Sequence, residues 1–93
     1  MTQVALVTGA AQGLGKSIAE QLLNAGYRVV VSDRSLGAAQ ATAAELDGTG
    51  ERVLALKLDV SSKADFEDAL AAVVAHWGEL QVVVNNAAMT MTT

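Results

Sequence analysis

The chain has 93 residues, a formal net charge of −4 and 52% hydrophobic residues, with no proline and no cysteine. Its length allows one small domain, its acidity argues against nucleic acid or an anionic membrane as partner, and the lack of cysteine excludes a disulfide framework. No apolar stretch approaches the roughly 20 residues of a membrane span, and the N-terminus lacks the regions of a signal peptide, so a soluble, cytoplasmic protein is expected.

The apolar residues are Ala, Val and Leu rather than aromatics, as in parallel strands covered by helices on both faces. Gln3 to Thr8 reads as a buried first strand. Thr8-Gly9-Ala10-Ala11-Gln12-Gly13-Leu14-Gly15 follows, a glycine-rich turn running into a helix with Leu14, Ile18 and Leu22 on one face and Gly26 at its end. Tyr27 to Asp33 is the second strand. A second helix over 35–47 carries Leu36, Ala39, Ala43 and Leu46 at helical spacing, and Asp47-Gly48-Thr49-Gly50 is a turn. Arg52 to Leu58 alternates enough to predict a less deeply buried third strand. Ser62 with Asp65 resembles a capping box opening a third helix, whose stripe is Phe66, Leu70, Val73, Val74 and Trp77, and Gly78 ends it. Leu80 to Val84 is the fourth strand, followed by Asn85-Asn86-Ala87-Ala88 and a polar tail.

This β-α-β-α-β-α-β order predicts an α/β fold, a doubly wound parallel sheet of order 3-2-1-4. It leaves the valine-rich fourth strand as a sheet edge, where further strands or a partner chain are expected.

Gly9, Gly13 and Gly15 lie where a strand, a glycine turn and a helix N-terminus can bind a phosphate; the bland alternative is an ordinary tight turn. An acidic residue at the end of the second strand supports the dinucleotide reading. That residue, Asp33, can accept both hydroxyls of an adenosine ribose or serve the next helix as a cap. Its charge would repel a 2′-phosphate, which favours NAD over NADP, while Arg34 could pair with that phosphate. Asp59 can accept from an adenine amino group with Val60 flanking the ring, or can cap the third helix. Asn85 and Asn86 can tie strands together and line a cofactor pocket. Gly15-Lys16-Ser17 looks like the end of a nucleoside-triphosphate loop, but Ala10 stands where that loop needs glycine, so Lys16 reads as a solvated residue. His76, Trp77 and Tyr27 suggest no chemistry, and neither a metal cluster nor a serine–histidine–acid set can be assembled.

With those residues placed, the chain resembles the N-terminal, cofactor-binding half of the classical short-chain dehydrogenase/reductase family. Thr8 to Gly15 matches the family's TGxxxGxG loop. Asp33 matches its NAD-selecting acid, Asp59-Val60 its adenine-contacting pair, and Asn85-Asn86-Ala87-Ala88 its NNAG segment with Ala88 in place of glycine. Gln12 stands where NADP-preferring members carry a basic residue. The resemblance implies an incomplete Rossmann-type domain over residues 1–93 that binds NAD through Gly9, Gln12, Gly13, Leu14, Gly15, Asp33, Arg34, Asp59, Val60, Asn86, Ala87 and Ala88. It implies an intact protein that interconverts alcohols and carbonyls by hydride transfer, as a homo-oligomer, often a tetramer. The family's catalytic Ser, the Tyr and Lys of its YxxxK pair and a further Asn have no counterpart here. The chain alone is therefore expected to bind nucleotide without turnover; a stand-alone nucleotide-binding or regulatory module is the alternative.

Overall fold

The computed structural model of the chain describes residues 3–86. Strands and helices alternate as β1 (Val4–Val7), α1 (Gly13–Asn24), β2 (Arg28–Asp33), α2 (Leu36–Leu46), β3 (Val53–Lys57), α3 (Lys63–Trp77) and β4 (Val82–Val84). The strands are parallel and ordered β3-β2-β1-β4, the expected Rossmann-type arrangement. Leu6 of β1 lies opposite Val30 of β2 on one side and Val83 of β4 on the other.

Alternation along the strands divides the core in two. On one face Val7, Val29, Val31 and Val53 pack against Ala19 and Leu23 of α1 and Ala39 of α2. On the other, Val4, Leu6 and Val30 pack against Ala69 and Val73 of α3. β1 is buried along its whole length because it has a strand on each side and helices on both faces. β3, at one edge, buries Val53 and leaves Leu54, Ala55 and Leu56 half-buried, as its alternation predicts.

The helices turn differently from the predicted stripes. In α1 the buried line is Gly15, Ala19 and Leu23, with Ile18 and Leu22 half-buried beside it, whereas Leu14 is 61% exposed. A helix advances about 100° per residue, so seating the small residues Gly15 and Ala19 against the sheet swings Leu14 outward. The same rotation exposes Leu36 in α2, where Ala39 and Thr42 are buried, and Val74 in α3, where Ala69 and Val73 are buried.

Helix ends follow local chemistry. Past α1, Gly26 N–H donates to the Leu23 carbonyl and Tyr27 N–H to that of Leu22, each at 3.0 Å, the paired bonds of a glycine-terminated helix. Arg52 Nη2 adds a cation there, donating to the Leu23 carbonyl at 2.6 Å and the Tyr27 carbonyl at 3.2 Å. At α3 only half of the expected capping box forms. Ser62 Oγ accepts from Asp65 N–H at 3.1 Å, but Asp65 Oδ2 accepts from Asp59 N–H at 2.9 Å instead of turning back to Ser62. The carboxylate thus ties α3 to the end of β3. Among the described residues, no helix is long and apolar enough to cross a membrane.

Candidate functional site

The loop from Thr8 to Gln12 leaves β1 at the carboxyl edge of the sheet and is held by three other elements. From the β4 side, the Val84 carbonyl accepts from Thr8 N–H at 3.0 Å, Asn85 Oδ1 accepts from Thr8 Oγ1 at 3.1 Å, and Asn86 Nδ2 donates to the Gly9 carbonyl at 3.2 Å. From β2, the Ser32 carbonyl accepts from Ala10 N–H at 3.0 Å and Asp33 Oδ2 from Ala11 N–H at 3.3 Å. From α2, the Thr42 hydroxyl donates to the Ala11 carbonyl at 2.7 Å. The buried Ser32 hydroxyl donates to the Val7 carbonyl at 2.8 Å just before the loop. A loop restrained in this way meets a ligand with little left to order.

The loop delivers the chain to α1, whose N-terminus differs from the others. The hydroxyls of Ser35 and Ser62 accept hydrogen bonds from the first turns of α2 and α3, whereas Gln12 makes no side-chain bond at the start of α1. The leading N–H groups of α1 are thus unclaimed by a cap, and with the helix dipole they favour an anion. Gly9 and Gly13 adopt φ of 60° and 61°, a region costly for residues with a Cβ. Gly15 is required for space: a Cβ there would lie 2.7 Å from Asn86 Nδ2 and 2.9 Å from the Gly9 carbonyl carbon. Gln12 and Leu14 are exposed beside this cradle.

Asp33 and Asp59 stand at the ends of adjacent strands on the same edge. Asp33 Oδ1 accepts from Ser35 N–H at 3.2 Å while Oδ2 holds Ala11, and Ser35 itself caps α2. Asp33 therefore sits on the seam between loop and helix and is not the helix cap. Asp59 is not the cap of α3 either, since Ser62 fills that place. Asp59 Oδ1 accepts from Ser61 Oγ at 2.6 Å and Ser61 N–H at 3.0 Å. Those bonds, with smaller help from the charges of Arg34 and Lys57, hold its carboxyl below the usual carboxylate range. Arg34 is exposed, and Val60 is half-buried against the α3-side core. Asn86 is 4% exposed, and its Oδ1 has no hydrogen-bond partner among the described residues. Ala87 and Ala88 lie outside the described residues.

Lys16 is directed elsewhere, to an ion pair with Glu45 across α1 and α2, which agrees with its reading as a solvated residue. Tyr27, His76 and Trp77 lie at the opposite end of the sheet, where the His76 and Trp77 rings meet edge to face at 5.1 Å and the Arg28 guanidinium stands 5.9 Å from the Trp77 ring centre. A concavity of about 740 Å³ also opens there, lined in part by Leu23, Arg28, Arg52 and His76. It lies away from the glycine loop, and its Arg52 is committed to the carbonyl end of α1. Among the described residues, no three His, Cys, Asp or Glu side chains gather as a metal site. Two residues that hold the loop, Ser32 and Thr42, do not stand out in the sequence; Thr42 left one trace, a hydroxyl three residues after Ala39 on an otherwise apolar helix face.

A family model described as short chain dehydrogenase matches residues 3–93. The chain belongs to the short chain dehydrogenase family. It is 40% identical over 87 residues to a sorbitol dehydrogenase of Cereibacter sphaeroides, covering 94% of this chain and 33% of that protein. It is 45% identical over 89 residues to a 3-beta-hydroxysteroid dehydrogenase of Comamonas testosteroni, covering 96% and 34%. Among solved structures, it is similar to a 3-ketoacyl-(acyl-carrier-protein) reductase of Brucella melitensis complexed with NADH, with a TM-score of 0.79, 33% identity and coverage of 87% of this chain and 32% of the other. The chain spans about a third of the length of the relatives it matches. The family consists of oxidoreductases, and its cofactor class is the nicotinamide dinucleotides.

Proposed function

We propose that these residues are the dinucleotide-binding portion of an oxidoreductase that interconverts alcohols and carbonyls, with NAD preferred to NADP. The observation that carries this is the cradle itself: a glycine loop closes on the uncapped N-terminus of α1 where a Cβ at Gly15 would not fit, and Asp33 is tied to the same loop. The residues present fit a dinucleotide. The leading N–H groups of α1 take the pyrophosphate, beside Gly9, Gln12, Gly13, Leu14 and Gly15. The Asp33 carboxylate accepts from the adenosine ribose hydroxyls and repels a 2′-phosphate, with Arg34 exposed alongside. Asp59 and Val60 take the adenine, and Asn86 lines the pocket just beyond β4.

The bound dinucleotide supplies a hydride donor or acceptor; this chain's residues bind and orient it. None of them is assigned an acid–base role. The 93 residues alone are expected to bind without turnover. Val83, 44% exposed on β4, is where the remainder of the sheet would pair.

The test is a titration of the intact protein with NADH and NADPH, followed by nicotinamide fluorescence. Tighter binding of NADH is expected, and Asp33→Ala should weaken NADH more than NADPH. Failure of both nucleotides to bind at concentrations up to about 1 mM, equivalent to about −4 kcal/mol, would overturn the reading.

A further inference from the structure

We infer that Thr42 is a positioning residue that sets how Asp33 meets the ribose of the dinucleotide. The inference rests on the binding reading above and assigns a part in it to a residue of α2 that lies outside the loop motif.

Both backbone polar groups of Ala11 are held by side chains. Its N–H donates to Asp33 Oδ2 at 3.3 Å, and its carbonyl accepts from Thr42 Oγ1 at 2.7 Å. Thr42 is 4% exposed, so water cannot easily take over the bond. The other oxygen of Asp33 is held by Ser35 N–H at 3.2 Å, at the start of the helix that carries Thr42. These bonds close a ring: Asp33 to Ala11, Ala11 to Thr42, Thr42 through α2 to Ser35, and Ser35 back to Asp33. The carboxylate is thereby aimed from two sides, and one side depends on the Ala11 peptide staying where Thr42 holds it. Thr42 is buried and its hydroxyl is committed to Ala11. Its effect passes through Ala11 to Asp33, and so concerns the ribose end more than the pyrophosphate end.

The experiment compares Thr42→Val, which keeps shape and removes the hydroxyl, with Thr42→Ser, which keeps the hydroxyl, in the intact protein. NADH and NADPH affinities are measured for both variants, for Asp33→Ala and for the double variant Thr42→Val/Asp33→Ala. Loss of one hydrogen bond corresponds to roughly threefold to tenfold in affinity, so Thr42→Val should weaken NADH by about that factor and narrow the preference over NADPH. Thr42→Ser should behave as wild type. In the Asp33→Ala background, Thr42→Val should add nothing, because the group it positions is gone. Equal weakening of NADH and NADPH, or independent addition of the two single effects, overturns the assignment in favour of a merely structural threonine. Should Thr42→Val lose its fold, Thr42→Ala is compared with Thr42→Ser, and equal weakening by both overturns it.

Hydrogen exchange at the Ala11 amide, read without nucleotide, separates this inference from the functional reading. Faster exchange in Thr42→Val supports the coupling, and unchanged exchange overturns it. A wild-type protein that binds neither nucleotide instead overturns the functional reading.

Discussion

The side-chain amide of Asn86 donates to the carbonyl of Gly9 across 3.2 Å, tying the end of β4 to the first glycine of the loop. Asn86 is buried, so Asp and Ala fail there for different reasons. Asn86→Asp places a carboxylate oxygen against the Gly9 carbonyl with no donor between them, in a buried setting that disfavours charge. Asn86→Ala removes the bond and leaves the carbonyl to find water. Unfolding by urea should show Asn86→Ala less stable by about 1–3 kcal/mol, with Asn86→Asp worse at neutral pH and partly recovered in acid as the carboxyl takes up a proton. Equal stability of the Asp variant and wild type at pH 7 would show that the bond does not hold the loop.

Gly15 and Gly37 both lie in the first turn of their helices, α1 and α2, yet substitution should have opposite effects. At Gly15 a Cβ would press on Asn86 and Gly9, whereas at Gly37 nothing lies within 4 Å. Gly15→Ala must push the loop or Asn86 aside, which should lower dinucleotide affinity at least tenfold, a loss of about 1.4 kcal/mol or more. Gly37→Ala instead restricts the unfolded chain and should stabilise the protein by about 0.4–1 kcal/mol. Calorimetry on the pair, with NADH titration, checks both. A Gly15→Ala protein binding as well as wild type would mean that the cradle yields more easily than its geometry indicates.

Two surface carboxylates give the stability a defined pH dependence. Asp47 accepts from Thr49 Oγ1 at 2.7 Å, Arg52 N–H at 2.9 Å and Thr49 N–H at 3.1 Å, and these bonds hold its carboxyl below the ordinary range. Asp59 is lowered chiefly by the Ser61 hydroxyl, then by the Ser61 N–H. Both folded values lie below those of the unfolded chain, so the ionised forms stabilise the fold. That contribution is complete above the unfolded value, about 3.9, and is lost as pH falls through the lowered folded values. In a carboxyl NMR titration both groups should titrate below the ordinary range, and Ser61→Ala should return Asp59 toward it while leaving Asp47 unchanged. An Asp59 titration unaltered by Ser61→Ala would place the cause elsewhere.

The elements, their order and the glycine cradle were legible because each rests on local chemistry: valine-rich runs, glycines at the turn, and Gly26 and Gly78 at helix ends. What was not legible depends on the distance between elements. Leu14 reads as the start of an apolar stripe, but the close approach of Gly15 to Gly9 decides the rotation of α1 and turns Leu14 outward. Asp65 sits at capping-box spacing from Ser62, yet the N–H of Asp59 lies within its reach and takes the carboxylate. Thr42 looks like an interruption of an alanine-rich helix until Ala11, 31 positions earlier, is brought against it. Val74 continues a helical stripe in sequence and is left exposed by the way α3 crosses the sheet.

Lys16 gives the sharpest contrast between sequence pattern and placement. Following Gly15 and preceding Ser17, it invites comparison with a phosphate-binding lysine, but it is paired with Glu45, at side-chain exposures of 39% and 60%. An ion pair that open to water contributes about 0–1 kcal/mol, and salt weakens it further. Lys16→Ala should therefore lower stability by less than about 1 kcal/mol, and the difference from wild type should shrink in concentrated salt. NADH affinity should change by no more than about threefold, since the proposed reading gives the pyrophosphate to the α1 N–H groups rather than to a side-chain cation. Magnesium-dependent ATP binding that Lys16→Ala abolishes would reverse the argument, because it would require Lys16 to leave Glu45 and reach a triphosphate.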